Sequence, residues 1–175
     1  MKPETKLWHA INDKMRLPGD RLDRIENSVS SGAGDVNGCL AGEDVWIELK
    51  APSEPVRAGT PLMTSNNNHP LLQTQMNWFR RQHNAGGIAF ILVRTDRRMM
   101  LVDGTKHGDV FNKWTVAQMV THSIANFAVP TKQEEWRLLR NVIFTSARHR
   151  RLSGHASAQH MLDDLERKGL AGDRR

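Results

Sequence analysis

"GDVNGCLAGEDVWIELK", residues 34–50, decides how this chain is read. Asp35 opens it, and Glu48 and Lys50 close it inside the apolar run Val45, Trp46, Ile47, Leu49. Ala41-Gly42-Glu43 supplies a turn, so "DVNGCLAG" and "EDVWIELK" read as the two strands of a hairpin. Successive side chains on a strand point to opposite faces, so Glu48 and Lys50 share a face with Trp46 while Ile47 and Leu49 share the other.

Working outward, "ETKLWHAINDKM" places Leu7, Ile11 and Met15 a turn apart, an amphipathic helix stopped by "LPGD" at 17–20. "RLDRIENSV" reads as a strand and "SSGAG" as a turn into the hairpin. Residues 51–70 hold four prolines and three consecutive asparagines, a long irregular loop of the kind that is often functional. "LLQTQMNWFRRQHNAGG" follows as a helix carrying Leu71, Leu72, Gln75, Trp78 and Phe79, ended by Gly86-Gly87. "IAFILVRT" is too continuously apolar for an edge strand, and "RRMMLVDG" is a further strand. From about residue 113 the pattern turns helical through "TVAQMVTHSIANF", "TKQEEWRLLRNVIFTSARHRR" and "HASAQHMLDDLERKGL", before a frayed basic tail "AGDRR". This order predicts an α/β (α+β) domain with a small mixed sheet flanked by helices. The division expected is a core over 1–112 and a helical C-terminal extension over 113–175, packed on the core and ending in a flexible tail.

A chain of 175 residues is about one domain, and 38% hydrophobic with 25% charged residues fits a soluble globular protein. No apolar run is long enough to span a membrane, and the N-terminus lacks the apolar core of a signal peptide. The lone Cys39 excludes an internal disulfide and a cysteine-based zinc site, and suits a reducing cytoplasm. A formal charge of +6 and a pI near 10.0 favour polyanionic partners, because each Lys or Arg that neutralises a phosphate releases counterions.

The chemistry lies in the hairpin. With Asp35 on the strand beside Glu48, two carboxylates approach each other, and a hard divalent cation relieves their repulsion. Magnesium takes oxygen ligands and is usually held by one or two carboxylates together with substrate phosphate. Lys50 beside it can stabilise developing negative charge or help deprotonate water, an arrangement suited to metal-assisted phosphodiester hydrolysis. On their own, Glu48 and Lys50 are equally what a solvent-facing strand carries.

The flanking pattern, "RIENSVSSGAGDVN…WIELK…LLQTQMNW…AGGIAFILVR", resembles the PD-(D/E)XK nuclease superfamily, in particular small phage-type members and the VRR-NUC branch. There a G-x-P-D turn precedes a hairpin ending in Glu-x-Lys, and a Q-x-x-W helix and a buried strand follow. The match covers roughly residues 20–102, with Gly34 in place of the usual proline. The resemblance implies a restriction-endonuclease-like core, Asp35 and Glu48 as ligands of Mg2+ (with Mn2+ able to substitute), Lys50 as the catalytic lysine, and Gln75 reaching the site. Gln73 is a near-equivalent choice for that glutamine. A further carboxylate would come from Glu26 in the phage-type pattern, or from Glu4 in the VRR-NUC one. As an acid in a first helical turn, Glu4 also simply complements the helix dipole.

The expectation is therefore a magnesium-dependent DNA endonuclease selective for branched or junction DNA, working as a homodimer in the cytoplasm (the host's, if a phage encodes it). The alternatives are a non-catalytic DNA-binding or assembly protein on the same fold, and an unrelated basic α/β domain that binds RNA. Arg148, Arg150 and Arg151 in "ARHRR" form a candidate phosphate-contact patch, with a solvated helix end as the other reading. The histidines show no metal-ligand spacing, Trp114 and Trp136 read as packing residues, and Cys39 as a small buried strand residue.

Overall fold

The computed structural model describes residues 1–25, 32–64 and 70–167, and of 155–167 the helical backbone alone. Glu26 and the tail "AGDRR" lie outside the described residues.

Helix α1 (Pro3–Lys14) begins with proline at its first position and has Glu4 in the first turn and Lys14 in the last, each placed to favour the helix and its dipole. Its apolar stripe, Leu7 and Ile11 with Met15 just beyond, is fully buried. Three antiparallel strands follow: β1 (Arg21–Arg24), β2 (Val36–Leu40) and β3 (Glu43–Lys50). β2 and β3 are joined by two residues with positive φ, Ala41 at 49° and Gly42 at 88°. A pair of positive φ angles gives the turn whose twist matches that of a hairpin's strands. The described part of the expected strand ends at Arg24, and the Ile25 amide donates to the Asp35 carbonyl at 2.8 Å.

After the 51–64 loop comes α2 (Gln73–Asn84), which carries the chain over the sheet to β4 (Ala89–Arg94). β4 lies parallel to β3, which such a crossover permits. β5 (Arg98–Asp103) then returns antiparallel. Leu71 and Leu72 precede α2 rather than join it: Leu72 is its extended N-cap and is exposed, while Leu71 is buried. The loop before α2 is anchored in part, since Leu62 and Met63 are buried and the Leu62 amide donates to the Trp114 carbonyl at 2.8 Å.

The chain beyond residue 113 is not wholly helical. The short helices α3 (Gly104–His107) and α4 (Val116–His122) lead into β6 (Ala125–Ala128), which pairs antiparallel with β5 and completes a six-stranded sheet in the order β1 to β6. The segment read as one helix through Phe127 therefore breaks at Ser123. Ser123 is extended, and the Ile124 amide donates to the Leu101 carbonyl. Pairing with β5 outweighs the helical spacing there. The two last helical segments are one helix, α5 (Gln133–Arg167), of 35 residues.

The sheet separates two cores. On one face, Val36, Val45, Ile47, Leu49, Phe90 and Leu92 pack against α1 and against Trp136, Leu139 and Ile143 of α5. On the other, Ile91, Val93, Met100 and Val102 pack against Trp78 and Phe79 of α2, together with Phe111, Trp114 and Met119. The protein is an α+β domain with a mixed sheet between helical layers. No helix among the described residues is long and apolar enough to cross a membrane.

Candidate active site

The parity of β3 puts Val45, Ile47 and Leu49 on the α1/α5 face, so Trp46, Glu48 and Lys50 face α2. Trp46 meets Trp78 of α2 edge-on, with ring centroids 5.4 Å apart, and this contact brings the first turn of α2 over the end of β3. Asp35 precedes β2 and folds across onto β3, where its Oδ2 accepts from the Leu49 amide at 2.8 Å.

Glu48 and Lys50 are both buried, with side chains only 1% and 7% exposed, and Lys50 Nζ lies 2.9 Å from Glu48 Oε1. Gln75 Nε2 donates to the same oxygen at 2.5 Å. The other end of Gln75 accepts from the Leu72 amide at 2.9 Å. Gln75 thus satisfies one of the orphan amides at the start of α2 while it fixes the Glu48 carboxylate. Gln73, the near-equivalent in sequence, is exposed and donates instead to Asn77.

Glycines let the Asp35 turn fit between these elements. Gly32 has φ of 102°, and a Cβ there would sit 2.5 Å from the Thr74 carbonyl oxygen at the start of α2. A Cβ on Gly34 would already lie 3.3 Å from the Ile47 carbonyl oxygen. The glycine that replaces the expected proline therefore lets the turn press closely against β3.

Glu48 Oε2 is buried without a hydrogen-bond partner among the described residues. Burial pushes the Glu48 carboxyl up from its ordinary value of 4.5 to about 7, with the nearby Asp35 charge adding to the rise and Lys50 and Gln75 opposing it. Burial also raises the Asp35 carboxyl, against the Leu49 amide and the charges of Lys50 and Arg24. In this state the pair holds negative charge poorly, which is what carboxylates arranged around an intended positive charge do. Among the described residues no three His, Cys, Asp or Glu side chains gather into a metal-binding group, so Asp35 and Glu48 stand as a two-carboxylate pair.

Of the other expected residues, Glu4 is half-buried in the first turn of α1, and among the described residues no hydrogen bond or ion pair joins it to Asp35 or Glu48. Arg148, Arg150 and Arg151 are not brought to the carboxylates. They ride on α5, on the opposite face of the sheet. Arg151 holds Glu43 through two 2.8 Å bonds at the start of β3, about 23 Å along the strand from Lys50 at its ordinary rise. Arg150 reaches Asp103 at 3.5 Å and Thr105 at 3.3 Å. Two of the three guanidiniums, Arg150 and the exposed Arg151, are thus committed to carboxylates of the fold, and Arg148 is exposed. Cys39 is only partly buried.

Arg24 escaped the sequence reading. It is half-buried on β1, and its charge helps hold Asp35 ionised. Nothing in "RLDR" distinguishes it from Arg21, so only the fold could single it out. Comparison with protein-family models and with curated proteins returns no match for this chain.

Proposed function

We propose that the protein is a metal-dependent DNA endonuclease whose active site is Asp35, Glu48 and Lys50, with Gln75 as a positioning residue. The observation that carries this reading is the Glu48 carboxylate: one oxygen is held by Lys50 and Gln75, the other is buried without a partner, and the group lies within reach of the Asp35 charge. A buried carboxylate oxygen left without a partner costs free energy of folding, and a divalent cation satisfies it. The donor set suits Mg2+ or Mn2+, because it offers carboxylate oxygens rather than sulfur or imidazole. Asp35 and Glu48 would hold the cation, which when bound supplies charge stabilisation at a phosphate and a more acidic water.

The protein's own groups do the rest. Lys50 is kept from solvent and aimed along the strand face by Glu48, so its ammonium meets a phosphodiester oxygen in a low-dielectric setting, where charge stabilisation is strongest. Gln75 fixes the Glu48 rotamer, so the free oxygen points the same way before substrate arrives. The basic composition supplies affinity through phosphates, which favours selection by DNA structure over selection by sequence. Branched or four-way-junction DNA is the substrate class proposed. Paired cuts in a junction take two active sites, which implies a homodimer; the cytoplasm is the compartment proposed.

The test is cleavage of plasmid, single-stranded, duplex and four-way-junction DNA with Mg2+ or Mn2+, by the wild type and by Asp35→Ala and Lys50→Ala. The expected result is cation-dependent cutting, strongest on the junction and reduced about 100-fold or more in both variants. No cutting of any substrate with either cation overturns the enzyme, leaving DNA or RNA binding as the function. Undiminished cutting by Asp35→Ala overturns the site.

A further inference from the structure

Immediately beyond the carboxylates, the parallel pair β3 and β4 ends in register, Lys50 opposite Val93, and the next residues on each strand open into a cavity of about 250 Å³. Its walls are Ala51 and Ser53 after β3, Arg94 and Asp96 at the end of β4, and Pro3 and Lys6 from the first turns of α1. Here α2 packs over one face of the sheet and α1 over the other.

Of the arginines that are at least half-buried, Arg140 is paired with Asp20 and Arg150 with Asp103. Arg94 is half-buried and Lys6 exposed, and among the described residues neither side chain makes a hydrogen bond or an ion pair. The one acid on the wall, Asp96, lies 3.8 Å from the Arg97 guanidinium, which offsets its charge. Two uncommitted cations thus converge on a concave site one residue along the chain from Lys50.

We propose that this cavity is a second phosphate subsite, in which Lys6 and Arg94 hold a backbone phosphate of the DNA strand flanking the one cut at Lys50. This rests on the nuclease reading and adds a direction to it: the strand crosses the end of the sheet from the α2 face toward α1. A phosphate held there fixes the register of the backbone over the carboxylates, which is the ordinary role of non-specific phosphate contacts. Lys6 and Arg94 are positioning residues, since neither meets the reacting atoms.

The test is binding of duplex and junction DNA in chelator, followed by fluorescence anisotropy between about 50 and about 200 mM salt. It compares the wild type, Lys6→Gln/Arg94→Gln and a control, Lys132→Gln/Arg137→Gln, which removes the same charge from exposed sites at the α5 end. Wild-type binding should show a steep salt dependence, and the cavity variant should lower that slope by about 1 to 2, as expected for the lost phosphate contacts. The control should leave the slope nearly unchanged. An equal fall in both variants, or none in the cavity variant, overturns the subsite while leaving the nuclease reading intact. Failure of the wild type to bind any DNA overturns both. Unfolding midpoints identify a misfolded double variant, in which case the single Lys6→Gln at an exposed position carries the same test with a slope change of about 1.

Discussion

Replacing Glu48 by glutamine should stabilise the metal-free protein near neutral pH, although it removes half of a buried ion pair. A carboxyl moved from 4.5 to about 7 favours its neutral form by about 3 kcal/mol more in the folded than in the unfolded state, at about 1.4 kcal/mol per pH unit. That figure already includes the help of Lys50 and Gln75, so burial outweighs both. Below the unfolded value of 4.5 the group is neutral in both states and its burial costs nothing further. As pH rises from there, the unfolded chain releases the proton while the folded chain retains it. Stability is therefore lost progressively up to about pH 7, beyond which the loss is complete. Asp35, raised for the same reason, acts in the same direction. Glutamine keeps an oxygen to accept from Lys50 and Gln75 but carries no titrating proton.

The measurement is urea unfolding in chelator at several pH values from about 5 to about 8, followed by tryptophan fluorescence. The wild-type midpoint should fall relative to that of Glu48→Gln by about 1 to 1.5 M across the range, if unfolding exposes surface with a slope of about 2 kcal/mol per molar. Taking the difference between the two proteins removes groups they share, such as Asp20 and His107. Parallel curves for the two proteins would refute the reasoning, because they would mean that Glu48 has no abnormal proton in the folded state.

Magnesium at about ten times its dissociation constant should stabilise the wild type by about 1.4 kcal/mol, raising the thermal midpoint by about 3–6 °C. The same addition should leave an Asp35→Asn/Glu48→Gln protein unchanged, and an equal shift in both by calorimetry would place the cation elsewhere. Arg140→Ala should destabilise by about 3 kcal/mol or more, because it strands an Asp20 side chain that is 2% exposed. In Asp20, burial pushes the carboxyl up, and the Arg140 guanidinium with the Leu17 and Ala41 amides more than offsets it, so the carboxyl stays below its ordinary value. A urea midpoint within error of the wild type would contradict that pairing. Gly32→Ala meets both a positive φ and a backbone oxygen 2.5 Å away, so it should cost more than about 1 kcal/mol and move Gln75 off Glu48. The check on that displacement is the abnormal Glu48 titration, which a merely local strain at residue 32 would leave in place.

What could be read without the fold follows a physical line. The hairpin and the facing of Glu48 and Lys50 depend on a period of two and a two-residue turn, both properties of neighbouring residues. The six-stranded order needed more. β6 is four residues long, and Phe127, eight residues from Met119, also fits a helical spacing, so only the ladder to Leu101 and Met99 decides its state. Gln75 could be separated from Gln73 only by knowing that α2 starts at residue 73, a boundary set by Leu72 in extended conformation.

The arginines of α5 make the limit plainest. In sequence, "ARHRR" is a run of positive charge with no partner in sight. In the fold, Glu43 is 6% and Asp103 5% exposed, and of the two only Asp103 has a cation close in sequence, Lys106 at 3.6 Å. Arg151 pairs with Glu43 from 108 residues away, and Arg150 joins Lys106 on Asp103 from 47 residues away. A charge cluster advertises a ligand site only once the acids of its own fold have taken what they require. By that measure the uncommitted pair Lys6 and Arg94, far apart in sequence and brought to one cavity by α1 and the end of β4, is the stronger candidate for phosphate than the cluster that looked like one.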